Sequence, residues 1–160
     1  MLREVHRRGS LEAADCHLAP GRGRHDRMVE MAAAALDVDF YESATDGPTL
    51  RVAGTSGGMR ILRDACEVLV GGEESVRLSD LAGVRLSERV KSVEFRFSAE
   101  DGHCHNAEDP AAFVFTGDRS QWAERVLLLN ALVEPGTPGT FQLLEPNDTG
   151  GVCIEAAVIR

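Results

Sequence analysis

Apolar positions along this chain change period in a regular order. Val38, Phe40 and Tyr41 mark a strand over about Asp37–Ser43, closed by the turn-forming Thr45-Asp46-Gly47-Pro48. Leu50 and Val52 then alternate with Arg51 and Ala53, which predicts a second strand and a hairpin with the first. From Met59 the spacing lengthens to three and four residues. Met59, Leu62, Cys66 and Leu69 fall on one helical stripe, and Arg60, Arg63, Asp64 and Glu67 on the opposite face. Thr55 and Ser56 offer N-cap hydroxyls to that helix, and Gly71-Gly72 supplies a left-handed C-terminal position free of steric penalty. Val76 and Leu78 carry a returning strand.

The second half runs through a similar order. Val93, Phe95 and Phe97 alternate with Glu94 and Arg96, the clearest half-buried strand in the chain. A long polar loop, Ser98 to Pro110, leads to an apolar strand at Phe113–Phe115. Asp118 and Gln121 have the spacing of a capping box, in which an acidic cap and a glutamine three residues on satisfy two orphan amides. Trp122, Val126, Leu129 and Leu132 form the inward stripe of the helix it opens. Pro135-Gly136-Thr137-Pro138-Gly139 halts that helix, and Phe141 and Leu143 give a strand. The turn Asn147-Asp148-Thr149-Gly150-Gly151 and a last strand with Val152, Ile154, Ala156 and Val158 complete a second hairpin.

The stretches Leu50–Leu81 and Phe113–Leu144 thus share one plan of strand, glycine, amphipathic helix and strand. Laying Gly54 on Gly117 places Met59 over Trp122, Cys66 over Leu129, Leu69 over Leu132 and Leu81 over Leu144. Leu62 falls opposite Arg125, which reads as a break in register. The period exceeds that of solenoid repeats, so the repeat is a supersecondary unit inside one domain. Two helices cannot cover both faces of a wide sheet. The expected fold is therefore α+β: a largely antiparallel sheet of about seven strands with both helices on one face, built from two similar strand-helix-strand units.

Composition changes this picture little: 160 residues, 43% hydrophobic and 27% charged, suit one domain able to bury a core without metal or disulfide support. Charge is more informative. Residues 1–27 carry Arg3, Arg7, Arg8, Arg22, Arg24 and Arg27 without a sustained apolar period, and read as a disordered tail or as sequence before a true start at Met28. The domain is expected over residues 28–160, where 11 basic and 22 acidic residues leave a charge of −11, against −9 for the whole chain. Such a balance disfavours nucleic acid, whose phosphates call for lysine and arginine, and suits a basic protein partner. Cys16, Cys66, Cys104 and Cys153 form no C-x-x-C pair and read as thiols of a reducing compartment. No apolar run approaches the length of a membrane span, so a cytoplasmic location is expected.

Three constellations hold candidate chemistry. His103 and His105, flanked by Glu100, Asp101, Glu108 and Asp109, would point to one side of an extended segment and could contribute to a zinc site, although a polar hairpin connection explains the same residues. Gly54-Thr55-Ser56-Gly57-Gly58 precedes a helix and could hold a phosphate, but it lacks the ending of a P-loop and a capped helix start accounts for it equally. Cys104 lies between histidines that would point to the opposite face of a strand, which argues against a thiol nucleophile. No cofactor or metal is expected. The four carboxylates Glu100, Asp101, Glu108 and Asp109 are the candidate contacts for a basic partner, because long connections between elements carry function more often than scaffold.

The segment Val52-Ala53-Gly54-Thr55-Ser56-Gly57-Gly58-Met59-Arg60-Ile61-Leu62, continuing through Leu69 and Gly71-Gly72-Glu73-Glu74 into Val76-Arg77-Leu78, resembles small immunity proteins of bacterial polymorphic toxin systems. The resemblance implies a binding module that neutralises a cognate toxin and has no catalytic residues. The expected function is thus a non-enzymatic, acidic protein-binding domain. The alternative is a small-ligand binder or enzyme using the Gly54–Gly58 turn or the His103/His105 loop.

Overall fold

In the computed structural model, which describes residues 36–100, 102–133, 138–146 and 151–159, nine strands and two α-helices form an α+β fold with two mixed sheets. The expected tail, and the part of the expected domain before Leu36, lie outside the described residues.

The first hairpin joins β1 (Leu36–Ser43) to β2 (Gly47–Gly54) in the antiparallel register expected from their alternation. Helix α1 (Ser56–Gly71) starts at Thr55, whose hydroxyl accepts from Gly58 N at 3.1 Å, and stops at Gly72, where φ is 117°. Its predicted stripe of Met59, Leu62, Cys66 and Leu69 is fully buried. The chain continues through β3 (Ser75–Arg77), a 3₁₀ turn at Leu78–Asp80, β4 (Val84–Leu86) and β5 (Ser92–Phe97). Strands β6 (Cys104–Asn106) and β7 (Ala112–Gly117) lead to helix α2 (Arg119–Val133), and β8 (Phe141–Glu145) and β9 (Cys153–Val158) close the fold. The capping box at α2 is present: Asp118 N donates to Gln121 Oε1 at 2.9 Å, and Gln121 N to Asp118 Oδ1 at 2.8 Å.

The single antiparallel sheet of seven strands is not what forms. One sheet has the order β4-β1-β2-β9-β8 and the other β3-β5-β7-β6, and the pairs β1·β4, β2·β9 and β5·β7 are parallel. Nor do the helices share one face of one sheet. They pack on each other, and each touches strands of both sheets. Phe40 of the first sheet meets Phe113 of the second with ring centroids 5.0 Å apart. The inner faces therefore share one core, into which the helices are inserted.

This arrangement has an internal symmetry deeper than the sequence repeat. The series β1-β2-α1-β3-β5 and β6-β7-α2-β8-β9 are equivalent, because β1-β2-β9-β8 and β6-β7-β5-β3 run through the same sequence of antiparallel, parallel and antiparallel pairings. Each unit gives its first two strands to one sheet and its last two to the other, so the units interlock. β4 is the addition that breaks the match. It arises because the first unit has a longer link before its last strand, and that link lies along the edge of β1. In the second unit the shorter link reaches the equivalent edge with one bond, Val152 N donating to Cys104 O at 3.0 Å.

Candidate functional site

Of the four carboxylates expected to act together, the fold separates Glu100 from Glu108 and Asp109. Ser98–Pro110 is not an uninterrupted loop, since β6 lies within it and pairs antiparallel with β7. Strand β6 stands between Glu100 and the pair Glu108 and Asp109. Glu100 is left where β5 and β7 end, and Glu108 and Asp109 where those strands begin. Asp109 is already engaged: it accepts from Lys91 Nζ at 2.8 Å and from Ala111 N at 2.9 Å, and the lysine bond holds its carboxyl below the usual range. Asp101 lies outside the described residues.

Glu100 has other acidic company. Glu74 O accepts from Phe97 N at 2.8 Å, which sets Glu73 and Glu74 beside the end of β5, and Glu100 N donates to Ser98 Oγ just beyond it. The three carboxylates are exposed. Helix α1 ends at Gly72 with no basic residue in its last turn, so the negative end of its dipole adds to their field. Beside Glu74 opens a cleft of about 310 Å³ lined by Glu74, Ser75, Arg96 and Phe97. Phe97 was expected to be an inward strand residue, yet it is 37% exposed because it caps the open end of the sheet. Two cations border the cleft. Arg96 is bound to Glu94 at 2.9 Å, and the guanidinium of Arg119 sits 5.7 Å from the Phe97 ring centroid. One face of the ring already accepts a cation, and Glu74 lines the cleft with it.

The same imbalance holds across the described surface. Seven of the ten described basic side chains, Arg51, Arg63, Arg77, Arg85, Lys91, Arg96 and Arg125, are held in ion pairs within the chain. Nine exposed carboxylates among the described residues, Asp39, Glu42, Glu73, Glu74, Asp80, Glu88, Glu100, Glu108 and Glu124, take part in none.

The other sequence candidates are placed as follows. His103 and His105 do share a side of β6, with ring centroids 4.9 Å apart, but no group of three potential metal ligands occurs among the described residues. Burial, then His103 and Arg96, lower the pKa of His105, whose Nδ1 has no hydrogen-bond partner. In the Gly54–Gly58 turn, Thr55 already satisfies two amides: its hydroxyl takes Gly58 N and its carbonyl takes Met59 N at 2.9 Å. Cys66, Cys104 and Cys153 are buried free thiols, and burial pushes Cys66 and Cys104 up to about 12. Such thiols stay protonated and unreactive near neutrality.

Arg125 is the residue that sequence reasoning misplaced. Its position opposite Leu62 is no break in register, since both side chains are buried. Its guanidinium lies 3.9 Å from the Phe115 ring centroid and 4.5 Å from that of Trp122. It donates to Thr116 O at 3.2 Å and to Glu145 Oε2 at 3.0 Å. A β-bulge between Leu143 and Glu145 turns both Leu144 and Glu145 inward, so the second is free to meet Arg125. Gly117 is required beside it, because a Cβ there would collide with Arg125 Nη1. The signal in the sequence was the register itself, combined with the aromatic residues at 115 and 122.

Comparison of the chain with protein-family models, with curated proteins and with solved structures finds no match. No described helix is long and apolar enough to cross a membrane.

Proposed function

We propose that this chain is a non-enzymatic binding domain for a basic protein, acting in the manner of an immunity protein that neutralises a toxin in the cytoplasm. The observation that carries the reading is the split of charge among the described residues: seven of ten cations are held by carboxylates of the same chain, whereas nine exposed carboxylates take part in no ion pair. A field of this kind draws a partner of opposite charge and sets its rate of encounter. The proposed contact is the end of β5, where Glu73, Glu74 and Glu100 are exposed and take part in no ion pair, beside a Phe97 ring that already takes Arg119 on its face. The buried, protonated thiols favour binding over catalysis at those positions, and Gly58 N in the Gly54–Gly58 turn is already taken by the Thr55 cap. The thiols also accord with a reducing compartment.

The test begins by expressing each gene that neighbours this one alone and taking forward a product that inhibits growth. Its association is measured by stopped flow at several salt concentrations, against the wild type and a Glu73→Gln, Glu74→Gln, Glu100→Gln variant. Slower association and a flatter salt dependence in the variant are expected. Failure of the wild type to bind or protect would remove the toxin reading, and binding whose rate is indifferent to both salt and variant would remove the electrostatic contact.

A further inference from the structure

Each sheet ends in two edge strands, and an unprotected edge is a template for another strand. Three of the four edges here are closed. β4 is three residues long and carries Arg85, bound to Asp37 at 2.9 Å. β3 is three residues long and carries Arg77. β6 is equally short, and its outward carbonyl at Cys104 is taken by Val152 N. The fourth edge differs. β8 has five residues, Phe-Gln-Leu-Leu-Glu, and no strand among the described residues pairs with its outer side. Its one charged residue, Glu145, is turned inward by the bulge and held by Arg125, so no charged side chain of β8 itself guards the edge.

The apolar residues of this edge face outward together. Phe141 is 57% exposed and Leu143 43%, at i and i+2 on the outer face, and Ile159, 39% exposed, follows on the same face of the neighbouring strand. Thr140 O accepts from Val158 N, so residues 140 and 142 turn their backbone groups toward β9, and Phe141 and Leu143 turn theirs away.

We infer that β8 is a self-association edge, pairing antiparallel with β8 of a second copy of this chain about a two-fold axis through Gln142. In that register Phe141 lies opposite Leu143 of the second copy, and the reverse, with their outward N–H and C=O groups exchanging hydrogen bonds. The occupant is a second copy because the outward side chains of β8, Phe141 and Leu143, are neutral and apolar and therefore complementary to themselves. A basic partner would find no open carboxylate on β8, and Glu155 beside it is bound by Arg51 and by Tyr41. The surface belongs to the other sheet from the Phe97 cleft, so it stands or falls independently of partner binding.

Sedimentation equilibrium of the full chain tests the pairing. Twice the chain mass is expected at about 100 μM, a range in which a small edge-to-edge interface is populated. Leu143→Lys, at an exposed position, should return a single-chain mass with an unchanged circular dichroism spectrum. Gln142→Cys, in a chain also carrying Cys16→Ser, should form a disulfide-linked dimer on mild oxidation, because residues opposed in a non-hydrogen-bonded pair stand about 4.5 Å apart between Cα atoms. Arg85→Cys, at the opposite edge, should not. A wild-type chain of single mass at that concentration would overturn the proposal. So would a Leu143→Lys dimer, or crosslinking at position 85 in place of 142.

Discussion

In the first unit α1 enters the shared core with Met59 and Leu62; at the same two positions in the second unit α2 does so with Trp122 and Arg125. All four side chains are buried, and both helices start one residue after a capped glycine turn, Gly54-Thr55 and Gly117-Asp118. The first pair fills space by aliphatic packing alone. The second stacks a guanidinium on two aromatic rings and anchors it to a carboxylate on β8, which joins the second sheet's helix to the first sheet's edge. One backbone plan thus accepts either an apolar or an ionic solution. The ionic one needs an extra device, the bulge that supplies Glu145. Burial alone lowers the pKa of Arg125, and Glu145 opposes that shift.

The largest expected effect separates the two units by size. Trp122 packs against Phe95 and Phe115 at centroid distances of 5.2 and 5.1 Å and also carries Arg125 on its face. Trp122→Ala is expected to cost about 3–5 kcal/mol in urea unfolding, at or above the loss for Met59→Ala, about 2–5 kcal/mol. Equal stability of Trp122→Ala and wild type would show that the second unit does not depend on its aromatic layer.

A smaller effect contrasts the outer faces. His105 in the second unit stands where Asp39 stands in the first, each one residue beyond an equivalent buried position, Cys104 and Val38. Because the folded pKa of His105 lies below the unfolded value of about 6.5, its neutral form is favoured by folding. Its contribution to stability is therefore complete above pH of about 6.5 and is lost as pH falls through that value toward the folded pKa. Thermal midpoints recorded from pH 8 to pH 5 should fall less steeply in His105→Gln than in wild type; parallel curves would remove His105 as the cause.

Much of this fold was legible because its determinants are local. The stripe Met59-Leu62-Cys66-Leu69, the Thr55 cap, the Gly72 stop and the Asp118–Gln121 box each depend on residues within a few positions of one another. Strands β4 and β6 are three residues long and carry no period to read. The parallel pairings were hidden for a different reason. β2 meets β9 across most of the chain, and the choice depends on how two interlocked units close a common core rather than on either strand's own pattern. The division of the acidic loop was hidden for the same reason: β6 separates Glu100 from Glu108 and Asp109, and the end of β5 brings Glu100 toward Glu73 and Glu74, which follow the helix-terminating glycines. Arg125 was misread because hydropathy counts a guanidinium as polar and omits the two ring faces that shelter it.

The equivalence of Leu62 and Arg125 is tested most directly by a double-mutant cycle on the ion pair, with Arg125→Leu restoring the first unit's solution. Glu145→Gln alone leaves a buried cation without its carboxylate and is expected to cost about 2–3 kcal/mol in urea unfolding. In the Arg125→Leu background the same change should cost less than about 0.5 kcal/mol, because the buried charge has gone and leucine fits this position in the other unit. If Glu145→Gln costs the same in both backgrounds, the pair is not what distinguishes the two units.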